Sequence, residues 1–312
     1  MLREPQEHAL LPHQIENEIA FLTYITQYHP SIPVPKVYAY EAGISGRPPF
    51  IAMEHVEGQC LSDAWNTLTE REKLIVANDI ATIIAELGEI RFGAIGGMTL
   101  AHTIGPTVEG VKLFRGRSKF HSPSCYDIGP YPSTRAYILA CYDKEIYYYS
   151  HALDEDIDFD LFKEVSKDAF IEDLKATRDD LAASPCTGVP EEPFALVHGD
   201  INGRNIMIHN KRVRVVIDWE FAGSYPLSEM EAGSVDVVEM VDDESVDENW
   251  KWNDRIKDLV EARARERGWE DDMIKLLISD GNQELQSARV EMFPEPSAEE
   301  SEEPGEPQEL EV

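Results

Sequence analysis

The stretch "LVHGDINGRNIMIHN" (196–210), followed by "VVIDWEFAG" (215–223), constrains this chain more than any other part of it. An apolar run, "FALV", leads into His198, Gly199 and Asp200. Asn205 comes five positions after Asp200 and opens a second run, "NIMI". "HNKR" has turn chemistry, and "VRVVID" is a third run that ends on Asp218. Short branched apolar runs separated by turn residues read as strands. If the second and third runs pair as a hairpin around "HNKR", their outer ends bring Asn205 beside Asp218. The fold must then hold a carboxylate-bearing loop and a second carboxylate at one end of a small sheet.

That pattern suits phosphoryl transfer. The reaction needs a group facing the attacking hydroxyl, and oxygen ligands that hold Mg²⁺ on the phosphates. Asp200 can take the first role, and Asn205 and Asp218 are hard oxygen donors for the second. Alone, His-Gly-Asp is an ordinary turn, and an Asp after an apolar run is an ordinary helix cap. The combination, at these spacings, is specific.

"HGDINGRN" with "VVIDWEFA" resembles the aminoglycoside phosphotransferase family of the protein-kinase-like superfamily, and within it the fungal phosphotransferase enzyme family branch. The resemblance covers most of residues 15–230. It implies an α+β, two-lobed kinase-like fold with a mostly helical C-terminal lobe, and ATP and Mg²⁺ as cofactors. By it, Asp200 is the catalytic-loop aspartate, Asn205 and Asp218 are the metal ligands, and His198 is structural. Gly199 stands where protein kinases usually have Arg, and Trp219-Glu220 where they have Phe-Gly, which makes a protein kinase the less apt relative. "FIAMEHVEG" is similar to the strand and hinge against which adenine lies, with Met53 at the back of the pocket. The backbone of Glu54 and Val56 is then expected to bond the base edge.

Glu18 adds an independent signal. It falls within the apolar stripe Ile15, Ile19, Leu22 and Ile25 of the helix "HQIENEIAFLTYITQY", where a carboxylate needs a partner. Kinase-like folds pair such a glutamate with a phosphate-gripping cation on a strand, and Arg3 is the candidate. Glu16 is the rival carboxylate. The family also has two strands and a glycine-rich loop ahead of this strand, so the small lobe is expected to be partial, with Arg in the place of Lys. A truncated gene model, a working abbreviated lobe and a pseudokinase or scaffold protein that lacks the loop each fit that expectation.

The expected organisation is a partial small lobe at 1–58, a larger lobe at 59–293 and a disordered acidic tail at 294–312. A helix is expected from Thr69, which with Glu72 has capping-box spacing; Leu74, Ala77, Ile80, Ile84 and Leu87 form its apolar face. The Gly-, Pro- and Ser-rich segment 93–135 reads as a long ordered connection. Further helices are expected over "TRAYILACYDKEIYYYSHAL", 159–184, 253–268 and 271–293. Asp143, Glu145 and Tyr147 to Tyr149 are candidates to receive a cationic acceptor, against a plain amphipathic helix that buries Ile138, Tyr142 and Ile146. Arg115, Arg117 and Lys119 are candidates for phosphate.

With 60 acidic against 28 basic residues and a net charge of −32, the chain is a poor match for nucleic acid or an anionic membrane. The expected partners are a nucleotide and a small-molecule acceptor. Four scattered cysteines read as reduced thiols, and no signal, transit or membrane-spanning pattern is evident, so a cytoplasmic protein is expected.

Overall fold

The computed structural model describes residues 1–5, 9–44, 46–108, 116–184, 192–230, 232 and 234–294. Arg115, Cys186 and the acidic tail from 295 lie outside the described residues. The chain opens with strand β1 (Leu2–Arg3), helix α1 (His13–Tyr28) and strands β2 (Val37–Glu41) and β3 (Phe50–Met53). They form an antiparallel sheet of order β1-β3-β2, with Arg3 opposite Ile51. Ile15 and Ile19 of α1 close a small core with Ala42, Ile51 and Met53. Ala20, Phe21, Leu22 and Ile25 of the same helix enter the main core. α1 is therefore apolar on two sides, and joins the small sheet to the rest of the molecule.

Two further three-stranded sheets carry the opening motif. β4 (Gln59–Cys60), β7 (Ile206–His209) and β8 (Arg212–Val216) form one, in the order β4-β7-β8. β5 (Arg91–Phe92), β6 (Phe194–Val197) and β9 (Gly223–Pro226) form the other, in the order β5-β6-β9. The expected hairpin is present, with Ile206 opposite Val216 and His209 opposite Arg212. Asn210 and Lys211 take positive φ at its turn.

After the short α2 (Leu61–Ala64), α3 (Glu70–Glu89) starts at the expected capping box, with Thr69 and Glu72 bonded reciprocally. Its buried face differs in one position. Leu74 is exposed, and Val76, Ala77, Ile80, Ile83, Ile84 and Leu87 are buried. The described residues of the long connection carry isolated bridges Ile95–Tyr131 and Met98–Ile104.

Helix α4 (Thr134–His151) buries Ile138 but leaves Tyr142 and Ile146 only partly covered. Its buried side instead holds Tyr137, Cys141, Lys144, Glu145, Tyr148 and Tyr149. Helix α5 (Lys167–Ala183) starts later than expected, at the Ser166 cap, after a separate 3₁₀ turn at Phe159–Phe162. Helix α6 (Asp243–Glu266) starts ten residues early, because Asp242 and Ser245 make a reciprocal cap that lacks the usual Glu or Gln. The segment expected as one helix over 271–293 is two, α7 (Asp271–Leu277) and α8 (Gln283–Arg289), broken where Gly281 takes φ +84°. No helix among the described residues is long and apolar enough to cross a membrane. Cys60 and Cys125 are free thiols.

Candidate active site

β6 delivers His198 into a buried position, where its ring fixes the loop that follows. Nδ1 accepts the Asp200 N–H at 3.2 Å, so Nε2 carries the proton and donates to Ile217 O at 3.0 Å. Burial pushes the imidazole pKa down, which suits that neutral form. Gly199 turns the chain with φ +83°, and a Cβ there would lie 2.6 Å from Phe221 O. Both facts require glycine. Gly199→Ala is expected to cost about 2 kcal/mol in thermal unfolding, and a loss under about 0.5 kcal/mol would contradict the packing described.

Asp200 is held by three side chains. Its Oδ1 accepts from Asn202 Nδ2 at 2.7 Å and Arg204 Nη2 at 3.0 Å, and its Oδ2 from Asn205 Nδ2 at 2.8 Å. Asn205 is buried and also donates to Asp200 O at 2.9 Å. Its amide hydrogens are thus directed at Asp200, and the carbonyl oxygen Oδ1 is the part that can serve a cation. Ile217 joins this loop to Asp218. It donates its N–H to Asn205 O at 2.9 Å and accepts from His198 at 3.0 Å. Asp218, the next residue, takes φ +67°, which turns its carboxylate out of the strand.

The Arg3 guanidinium lies among three carboxylates. Nη1 is 2.6 Å from Glu18 Oε1, and Nη2 is 2.6 Å from Asp218 Oδ1 and 2.7 Å from Glu220 Oε2. Burial pushes the Glu18 carboxyl up to about 7; Arg3 opposes the shift, while Asp218 and Glu220 add to it. Burial likewise raises Glu220, against the pull of Arg3. Arg3 itself is held more firmly protonated, its burial outweighed by the three anions. Burial thus outweighs the single cation at Glu18 and at Glu220, while the three anions together outweigh burial at Arg3.

Glu18, not Glu16, is the buried partner. Met53 is buried; its N–H donates to Met1 O at 3.0 Å and its O accepts the N-terminal ammonium at 2.8 Å. Glu54 N–H donates to Lys36 O at 2.7 Å. Glu54 and Val56 line a cavity of about 540 Å³ with His55, Glu57, His209 and Arg214.

The acceptor residues suggested on α4 are engaged elsewhere. Asp143 pairs with Arg178 at 3.0 Å, and Glu145 with the buried Arg117 at 3.1 Å. Lys119 pairs with Asp156. None of these six acidic and basic groups lines the cavity of about 800 Å³ that opens at Asp200. That cavity is walled by the 197–204 loop, Phe221, Met230, Asp236 and the end of α8 with Val290. Sequence reasoning missed Arg204, Gln14, Asn17 and Glu220. Gln14, Asn17 and Glu18 fall on one side of an otherwise apolar helix, and that polar spacing was the available signal.

Among the described residues no group of three or more His, Cys, Asp or Glu could enclose a metal. One carboxylate and one amide still fit Mg²⁺, which keeps several waters and is commonly held by few protein ligands plus phosphate. Asn205 and Asp218 are such a pair.

The model of the phosphotransferase enzyme family matches residues 2–229. No curated protein matches the chain. Among solved structures, the aminoglycoside phosphotransferase APH(4)-Ia is similar over 90% of this chain and 81% of its own, at 16% identity and a TM-score of 0.45. The gentamicin complex of APH(2'')-IIa is similar over 93% and 86%, at 14% identity and a TM-score of 0.43. The streptomycin–ATP ternary complex of APH(2'')-IIa is similar over 89% and 83%, at 15% identity and a TM-score of 0.41. The family match spans the sheet of Arg3, helix α1, the Asp200 loop and the Asp218 strand, and the chain belongs to the phosphotransferase enzyme family.

Proposed function

We propose that this phosphotransferase moves the γ-phosphoryl group of ATP to a hydroxyl of a small molecule held in the cavity beside Asp200. Residues 1–58 act as the nucleotide-covering lobe and 59–293 as the lobe that carries the chemistry. The observation that carries the reading is the pair of hydrogen bonds made by the Ile217 backbone, donated to Asn205 O and accepted from His198, which ties the Asp200–Asn205 loop to the strand end of Asp218. That arrangement holds a proton acceptor and two oxygen donors in fixed register before any substrate enters, as phosphoryl transfer demands.

Asp200 orients the acceptor hydroxyl and accepts its proton as the new P–O bond forms. To do so it must give up one present partner. Asn205 is buried, whereas the Arg204 side chain is 63% exposed, so Arg204 is the one that yields. Asn205 Oδ1 and Asp218 hold Mg²⁺, which when bound neutralises charge on the phosphate oxygens. Arg3, fixed by Glu18, faces the same phosphates, and the Glu54 and Val56 backbone bonds the base.

Calorimetric titration with ATP tests the nucleotide half of this reading. Micromolar binding that needs Mg²⁺ and is lost in Asp218→Ala is expected. Absence of binding to the native chain, or binding indifferent to both Mg²⁺ and the substitution, would overturn it.

A further inference from the structure

Glu220 comes two positions after Asp218 and is buried. Its Oε2 accepts from Arg3 Nη2 at 2.7 Å and from Gln14 Nε2 at 2.7 Å. The same Nη2 is 2.6 Å from Asp218 Oδ1. One guanidinium nitrogen is therefore shared between the carboxylate assigned to Mg²⁺ and a second carboxylate that no part of the chemistry uses. A guanidinium on Asp218 and a metal ion on Asp218 are rival cations. Whatever draws Arg3 away from Asp218 favours the metal.

Glu220 is built to stay where it is. Gln14 Oε1 accepts the Leu10 N–H at 2.9 Å, which fixes the amide that bonds Glu220. Asn17 Nδ2 donates to Glu220 O at 3.2 Å and Ala222 O at 2.9 Å, while Asn17 Oδ1 accepts the Met98 N–H at 2.8 Å. The backbone and side chain of Glu220 are thus both tied to α1. Arg3 lies on a two-residue strand and is a quarter exposed, so it is the partner able to shift.

From this we infer that Glu220 is a positioning residue for the metal step: it retains Arg3 Nη2 when Asp218 passes to Mg²⁺. This rests on the proposed function. With Nη1 on Glu18 and Nη2 on Glu220, the guanidinium fork is held at both ends and kept off Asp218. Without the Glu220 charge, Arg3 settles on Asp218 and competes with the metal there.

The test is a Mg²⁺ titration followed by calorimetry, with the protein saturated in ADP. Glu220→Gln keeps the volume and a hydrogen-bond acceptor but removes the charge. It is expected to weaken Mg²⁺ binding about tenfold, within the range for residues that act behind a metal ligand. The same substitution is also made in an Arg3→Met/Glu18→Gln background, which removes the rival cation without stranding the buried Glu18 charge. There it is expected to weaken Mg²⁺ binding by less than about threefold, measured against that background and not against the native protein, because Arg3 also faces the phosphates. A purely structural Glu220 would cost the same in both backgrounds. Unchanged Mg²⁺ binding in Glu220→Gln, or an equal loss in the two backgrounds, would overturn the inference. If Glu220→Gln does not fold, Glu220→Asp carries the same test, because its shorter reach withdraws the charge from Nη2; a weaker loss that again disappears in the second background is expected, and its absence overturns the inference. A native protein that shows no Mg²⁺-dependent nucleotide binding would instead remove the functional reading underneath.

Discussion

Asp200→Asn is expected to lower the rate of phosphoryl transfer by about three orders of magnitude while nucleotide binding survives. Asp200 opens onto the cavity beside its loop in a position already fixed by Asn202 and Asn205, and in the proposed reaction its carboxylate takes the hydroxyl proton. An amide at this place cannot accept that proton. Its NH₂ would also face donors from Asn202, Arg204 or Asn205, so the hydrogen-bond set must rearrange. Asn205 and Asp218 are left intact, because Asn205 is anchored through Ile217 as well as through Asp200. Single-turnover kinetics with matched calorimetry separates the two effects. A loss below about tenfold would remove Asp200 from the proton-accepting role.

The second large effect is on stability. Arg117 is 3% exposed and Glu145 fully buried, and they bond through Nε at 3.2 Å and Nη2 at 3.1 Å. Arg117 also stacks over Tyr148, its carbon 3.8 Å from the ring centre, and reaches Glu291 at 3.2 Å. Glu145 takes the Met292 N–H at 3.0 Å, and Tyr149 donates to Met292 O at 2.6 Å. Arg117→Met would leave a carboxylate buried without its cation, a change that typically costs about 3–5 kcal/mol. In a chain of this size that lowers the midpoint of thermal unfolding by roughly 10 °C. Adding Glu145→Gln should recover part of the loss, since the stranded charge is then gone. A drop under about 1 kcal/mol for the single variant would show that the pair does not hold the fold.

This pair also bears on function. Arg289 and Val290 line the cavity beside Asp200, and Glu291 and Met292 are the residues anchored to Arg117, Glu145 and Tyr149. Arg289 is fixed separately, 3.0 Å from the buried Glu229. The far wall of the cavity is therefore pinned on both sides, and its shape depends on a charge pair outside the cavity.

The parts of the molecule that local pattern controls could be read from the residues. Helix α1, the capping box of α3 and the β7–β8 hairpin have their causes within a few positions of themselves. The pairing of Arg3 with Glu18 was legible for a different reason: a carboxylate inside an apolar stripe demands a cation wherever it comes from. Glu220 gave no such sign, because "DWEF" does not show that Gln14 and Asn17, some two hundred positions earlier, converge on it. The buried face of α4 was misjudged for the same physical reason. Arg117 arrives on a separate 3₁₀ turn and lets Glu145 go inside, so the apolar periodicity of α4 marked Ile138 but not the charged part of its buried side. The break between α7 and α8 lies at Gly281, whose positive φ is a tertiary choice that a glycine merely permits.

In the proposed reaction the Asp200 loop directs a phosphoryl group to a hydroxyl. The most direct measurement is phosphorus NMR of the purified protein with Mg²⁺, ATP and a panel of hydroxyl-bearing amines, sugars and aminosugars. A new phosphomonoester signal, formed together with ADP by the native chain and absent with Asp200→Asn, is the expected result. ADP and inorganic phosphate alone across the panel, or a phosphomonoester formed equally by both proteins, would contradict it.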